Sequence, residues 1–99
     1  MVSIVAKRLN EALLLTGISQ KQLGIQAGID EFSASARVNQ YVKGKHMPDL
    51  QTLTRLAAVL RVPVPYFYCQ DAELAEAIVK FSALGKAQRR RMLGLMGES

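Results

Sequence analysis

The stretch Ser19–Lys45, "SQKQLGIQAGIDEFSASARVNQYVKGK", decides how this chain folds. Ser19 is an N-cap residue, and Gln22, three positions on, completes a capping-box pattern. Leu23 and Ala27, with Ile18 just upstream, give the helix an inward edge, and Gly28 ends it. From Ser19 to Gly28 there are ten residues, too few for a helix to survive without neighbours. A second helix lies within "IDEFSASARVNQYV", capped at Asp30, Ser33 or Ser35, with Val38, Tyr41 and Val42 as its core face. Its other side carries Ser, Arg, Asn and Gln. The apolar ladder is enough to pack a bundle; the polar side asks for something outside it. "KGKHMPD" then stops the helix, with Gly44 past its end and Pro48 ahead of the next. Two short helices joined through a glycine-containing turn make a helix-turn-helix unit. In it the second helix can enter a major groove while the first crosses the phosphate backbone.

Upstream, Ile4, Val5, Leu9, Ala12, Leu13 and Leu14 recur at helical spacing, predicting a first helix over about Ser3–Thr16. Ser3 can cap it, and Gly17 suits the left-handed position past its end. Leu14 and Leu15 exceed what one core contact needs. Downstream, a fourth helix runs from a cap at Asp49 to Leu60, with Leu50, Leu53, Leu56, Ala57 and Leu60 as an inward stripe. "VPYFY" reads as one tight helical turn with Pro65 at or near its first position. From Asp71, "DAELAEAIVKFSAL" caps at the aspartate and presents Leu74, Ile78 and Phe81 on one face. "GKAQRRRMLGLMGES" adds a short basic amphipathic turn or helix. No segment alternates for six residues, so strands are not expected.

With 99 residues, the chain can form one core. Its hydrophobic fraction of 49% argues against disorder. The formal charge of +5 favours a polyanion, nucleic acid or an anionic membrane surface. No run of eighteen apolar residues spans a membrane, and the N-terminus does not read as a signal peptide, so a cytoplasmic location is expected. Cys69, the lone cysteine, sits among apolar neighbours and reads as a buried structural thiol. His46, the lone histidine, has no acids at ligand spacing and reads as structural or solvent-facing. Glu73 and Glu76 read as a solvated helix face rather than paired catalytic carboxylates. Ser33 and Ser35 lack a base. No catalytic residue, metal or cofactor is expected, and no small-molecule ligand.

The segment from about Leu9 to Phe67 resembles the XRE family, the phage-repressor and Cro-like helix-turn-helix domains. The matching residues are Gly17, Ile18, Ser19 and Gln20 opening the second helix, then Leu23 and Gly28, Val38 inside the recognition helix, the "GK…P" turn and the Leu-rich fourth helix. The resemblance implies an all-α fold: a five-helix repressor-like domain over residues 1–68, with one or two further helices in 69–99. It implies double-stranded DNA as partner, a homodimer, and a sequence-specific transcriptional regulator, a repressor by preference. By position it assigns Gln20 to phosphate and base support, and Ser35, Ala36, Arg37 and Gln40 to the exposed recognition positions. It places Ala34 at the cap, and Lys43 and Lys45 in the basic turn that meets backbone. Positions 36, 37 and 40 can share one helix face. Arg37 can bridge guanine O6 and N7, or instead meet phosphate or water. Asn39 and Gln40 can pair with adenine, or decorate a wet face. The rival function is a protein-interaction module, such as an antitoxin or adaptor, on the same fold.

The sequence departs from the family in three places. "DEFS" at 30–33 is extra, and either lengthens the third helix or widens the connection; Asp30 and Glu31 should face away from phosphate or cap. Leu13 and Val42 stand where many members carry a partly buried Arg–Glu pair, both partners replaced together. Pro63 replaces the serine that often caps the fifth helix. The helix from Asp71, with "RRRMLGLM" behind it, either packs on the first helix to complete a dimer surface or closes a larger monomeric core. The three arginines spread around a helix, as a solvated end or as a contact to flanking phosphate or an acidic partner.

Overall fold

The structure, a computed structural model, describes residues 3–97. Among them are six α-helices, one 3₁₀ turn and no strand. The helices are α1 (Ile4–Thr16), α2 (Gln20–Gln26), α3 (Ala34–Val42) and α4 (Leu50–Leu60), then, after the 3₁₀ turn Val64–Tyr68, α5 (Ala72–Ser82) and α6 (Lys86–Gly97). The all-α expectation and its first four helices stand.

The caps explain the boundaries. Ser3 Oγ accepts from the Ala6 amide at 3.1 Å, Ser19 Oγ from Gln22 at 3.0 Å, and Asp49 Oδ1 from Thr52 at 2.7 Å, each satisfying an otherwise free first-turn N–H. Asp71 Oδ1 takes the amides of both Glu73 and Leu74. Gly17 ends α1 at φ +72°, a left-handed geometry that costs glycine little.

One core joins these elements: Val5, Leu9, Ala12 and Leu13 of α1, Leu23 of α2, Val38 and Tyr41 of α3, Leu53, Leu56, Ala57 and Leu60 of α4, and Phe67. Val42 and Ile18 pack at its edge. Leu13 lies in the apolar cluster and Val42 packs against it.

Three inward assignments and one cap are corrected. Leu14 is 77% exposed and Leu50 is also exposed, because each lies at the margin of its stripe, beyond the reach of the facing helices. In α5, Ala75 is buried and Ile78 and Val79 are half-buried against the core, while Leu74 points outward. Ala34 is not the cap of α3 but its first helical residue, fully buried; Ser33 holds the cap position, without a side-chain bond to the helix. The extra residues 30–33 widen the connection and do not lengthen α3. Asp30 folds them into a turn, accepting from the Phe32 amide at Oδ2 (3.0 Å) and from the Ser33 amide at its carbonyl (3.0 Å).

One tie was not read from the sequence. Arg8 is 2% exposed. Its Nε donates to the Cys69 carbonyl at 2.9 Å, its Nη2 to the Gln70 carbonyl at 3.2 Å, and its Nη1 to Glu11 Oε2 at 2.8 Å. Tyr66 donates its hydroxyl to the same carboxylate at 3.2 Å. A single guanidinium therefore pins the approach to α5 onto α1. The signal was there: position 8 lies on the stripe of Val5, Leu9 and Ala12.

Candidate nucleic-acid interface

α2 and α3 cross so closely that only glycine fits at position 24. A β-carbon there would meet the Ala34 β-carbon at 2.7 Å and the Ala34 carbonyl oxygen at 3.0 Å. That crossing fixes α3 against the rest of the domain. Val38 is fully buried and Tyr41 nearly so, which turns positions 35, 36, 37 and 40 outward.

The sequence assignments distribute as follows. Ser35, Ala36, Arg37 and Gln40 are exposed on α3, and Asn39 is half-buried at the edge of that face. Lys43 and Lys45 are exposed in the turn after α3. Gly44 gives that turn its left-handed residue, and the Lys45 amide returns to the Gln40 carbonyl at 2.9 Å. The lysines therefore stand on a fixed backbone directly after the exposed positions of α3. Gln20 opens α2, half-buried beside Asn10 and Leu14. It lies on a separate helix from the others.

Among the described residues, none of the polar side chains at 20, 35, 37, 39, 40, 43 and 45 makes a hydrogen bond or ion pair within the chain. Their donors and acceptors are free for an external partner. The charge of Arg37 is felt at the start of α4. There Asp49 is held below the usual carboxylate range, first by hydrogen bonds from Thr52 and then by Arg55 and Arg37.

Asp30 spends its side chain on the turn before α3 and is exposed, as is Glu31. Phe32 is 92% exposed in the same turn, next to the start of the recognition helix. It was not singled out from the sequence, though an aromatic in an otherwise polar insertion was a visible signal. His46 is exposed, and no three-residue cluster of metal-ligating type exists among the described residues. Cys69 is half-buried, its thiol directed at the Asp71 carbonyl. No described helix is long and apolar enough to cross a membrane.

A short helix, a turn and a second helix with its polar side outward define a helix-turn-helix domain. The comparisons agree: a helix-turn-helix family matches residues 9–67, more than half of the chain. The crystal structure of the transcriptional regulator BswR is similar over 100% of this chain and 95% of that one, at 43% identity and a TM-score of 0.89. No curated protein sequence matches. The chain belongs to the XRE-type helix-turn-helix family.

Proposed function

We propose that this protein is a sequence-specific double-stranded DNA-binding transcriptional regulator, a repressor that occupies its operator as a homodimer and excludes polymerase. Family membership and the likeness to a transcriptional regulator support the class. The observation that carries the finer reading is the two-sidedness of α3: Val38 and Tyr41 inside, and Arg37 and Gln40 outside with no side-chain acceptor or donor among the described residues.

In this reading Arg37 bridges a guanine in the major groove, and Gln40, with Asn39 at the edge, meets adenine. Ser35 and Ala36 line the same approach. Lys43, Lys45 and Gln20 hold phosphate, fixing register and supplying affinity without sequence information. Residues 1–68 form the DNA-binding unit, and 69–99 serve self-association.

Salt tests the class. Binding to a duplex should fall linearly on a log–log plot against salt, with a slope of about −0.9 for each phosphate neutralised. An antitoxin or adaptor surface built on apolar contact would bind its protein partner almost independently of salt and show no preference among duplexes. Salt-insensitive association, or no duplex binding even at low salt, contradicts the proposal.

A further inference from the structure

α1 and α5 leave an open groove between them. It encloses about 600 Å³ and is floored by Ala12, Leu60, Val62, Ala75 and Val79. Leu14 and Leu15 line it from α1 although they stand 77% and 84% exposed. No α6 residue of the same chain reaches it. An apolar channel of this kind on a small domain marks an interaction surface.

α6 has the complementary defect. It buries no residue in its own chain, yet it exposes Met92, Leu93 and Leu95. Its 12 residues include Gly94 and Gly97. A solvated helix of this length and composition is not self-supporting. Its first turn is anchored by Arg89, which donates to the Ser82 carbonyl at 2.6 Å and lies 5.4 Å over the Phe81 ring. Met92, Leu93 and Leu95 face outward, and the molecule measures 51 Å in its long dimension against 29 and 23 Å.

Charge bears on the α5 rim of the groove. α6 carries Lys86, Arg90 and Arg91 without an acidic partner among the described residues. α5 exposes Glu76 on the groove wall, only loosely held by Lys80 at 3.5 Å, and Glu73 one turn earlier on the same helix, while Arg61 and Lys80 line the groove as well.

We propose that α6 of a second copy of this chain fills the groove between α1 and α5, and that the two chains exchange α6 reciprocally. The Met92–Leu95 half lies against Leu14, Leu15 and Val79, and the basic half reaches Glu73 and Glu76. A reciprocal exchange is self-complementary and closes at two chains. The inference rests on the homodimer named above and gives it a seam remote from α3.

The test uses the full chain and reads mass in solution by sedimentation. The wild type should be a dimer, and Leu93→Glu and Leu15→Glu should each sediment as monomers. Circular dichroism guards against misfolding, since neither residue is buried in its own chain. A dimer that survives both substitutions overturns the exchange and leaves the homodimer standing. A wild type that is monomeric at high micromolar concentration overturns both, while duplex binding still reports on the DNA reading. A second measurement fixes the seam. In a Cys69→Ser background, a mixture of Leu14→Cys chains and Leu93→Cys chains should form the mixed disulfide under mild oxidation. Disulfide formation among Leu93→Cys chains alone, at equal rate, would show α6 pairing with α6 and overturn the proposal.

Discussion

A β-carbon on Gly24 would stand 2.7 Å from the β-carbon of Ala34, so α2 and α3 touch where neither can grow. The contact joins a mid-helix glycine to the first residue of α3. It sets where α3 begins, and with it where Arg37 points.

Gly24→Ala therefore sets two effects against each other. Alanine favours a helix interior by about 1 kcal/mol over glycine. Overpacking costs typically 1–3 kcal/mol, and here the obstacle includes the Ala34 backbone at 3.0 and 3.1 Å, which cannot yield unless α3 moves. We expect net destabilisation, read as a lower Tm, and a loss of duplex affinity larger than that Tm shift explains. An unchanged Tm would mean the crossing has slack.

Arg8→Ala should cost roughly 2–5 kcal/mol in denaturant unfolding, because it strands two carbonyls and removes the partner of Glu11. Arg8→Lys should recover little, since a point charge cannot serve three acceptors in a plane.

The Leu13–Val42 position makes a double-mutant cycle possible. Leu13→Arg alone puts an unpaired charge in the core and should cost about 3–5 kcal/mol. Val42→Glu alone should cost less, because Val42 is only half-buried. The double variant should be more stable than the sum of the two losses predicts, and the difference is the pair's coupling. Strict additivity would show that the two sites do not meet.

Acid should unfold this protein partly through Glu11. Hydrogen bonding from Arg8, opposed by burial and helped by Tyr66, holds its carboxyl below the ordinary value of 4.5. A depressed folded-state pKa gives stability that is present above the unfolded value and is lost as pH falls through the folded one. Glu11→Gln should therefore be less stable than wild type at neutral pH, with the gap narrowing as pH falls below about 4.5. The same cluster pushes Tyr66 up to about 12, chiefly by burial and then by the neighbouring carboxylate. Its hydroxyl thus stays protonated at neutral pH, and the stability tied to it is fully present below the ordinary value of 10.0 and is lost as pH rises from there through about 12. A gap that stays constant in acid would remove Glu11 from the account.

Much of the fold was legible because its signals are local. Ser3, Ser19, Asp49 and Asp71 each cap a helix through a side chain three residues or fewer from the amide it serves, and Gly17 marks a stop. The stripes of α1 and α4 gave the core but blurred at their margins, where Leu14 and Leu50 lack a facing helix. What failed to show was long-range. Arg8 meets carbonyls more than sixty residues away, and nothing near it in sequence announces them. Nothing near Gly24 in the sequence announces Ala34, ten residues on, against it. The turn at 30–33 left two readings open because Asp30, Ser33 and Ser35 all offer a cap, and only the path of the chain chose between them.

The most direct test of the outward face of α3 is selection from random duplexes with wild type, Arg37→Ala and Lys43→Ala. Arg37→Ala should relax preference at one base pair in each half-site, by about 1–3 kcal/mol of discrimination. Lys43→Ala should keep the selected sequence, weaken every site alike, and reduce the salt slope by about 1. If both variants return the wild-type sequence with equal losses, or neither changes binding, then α3 does not read DNA through Arg37 and the account fails.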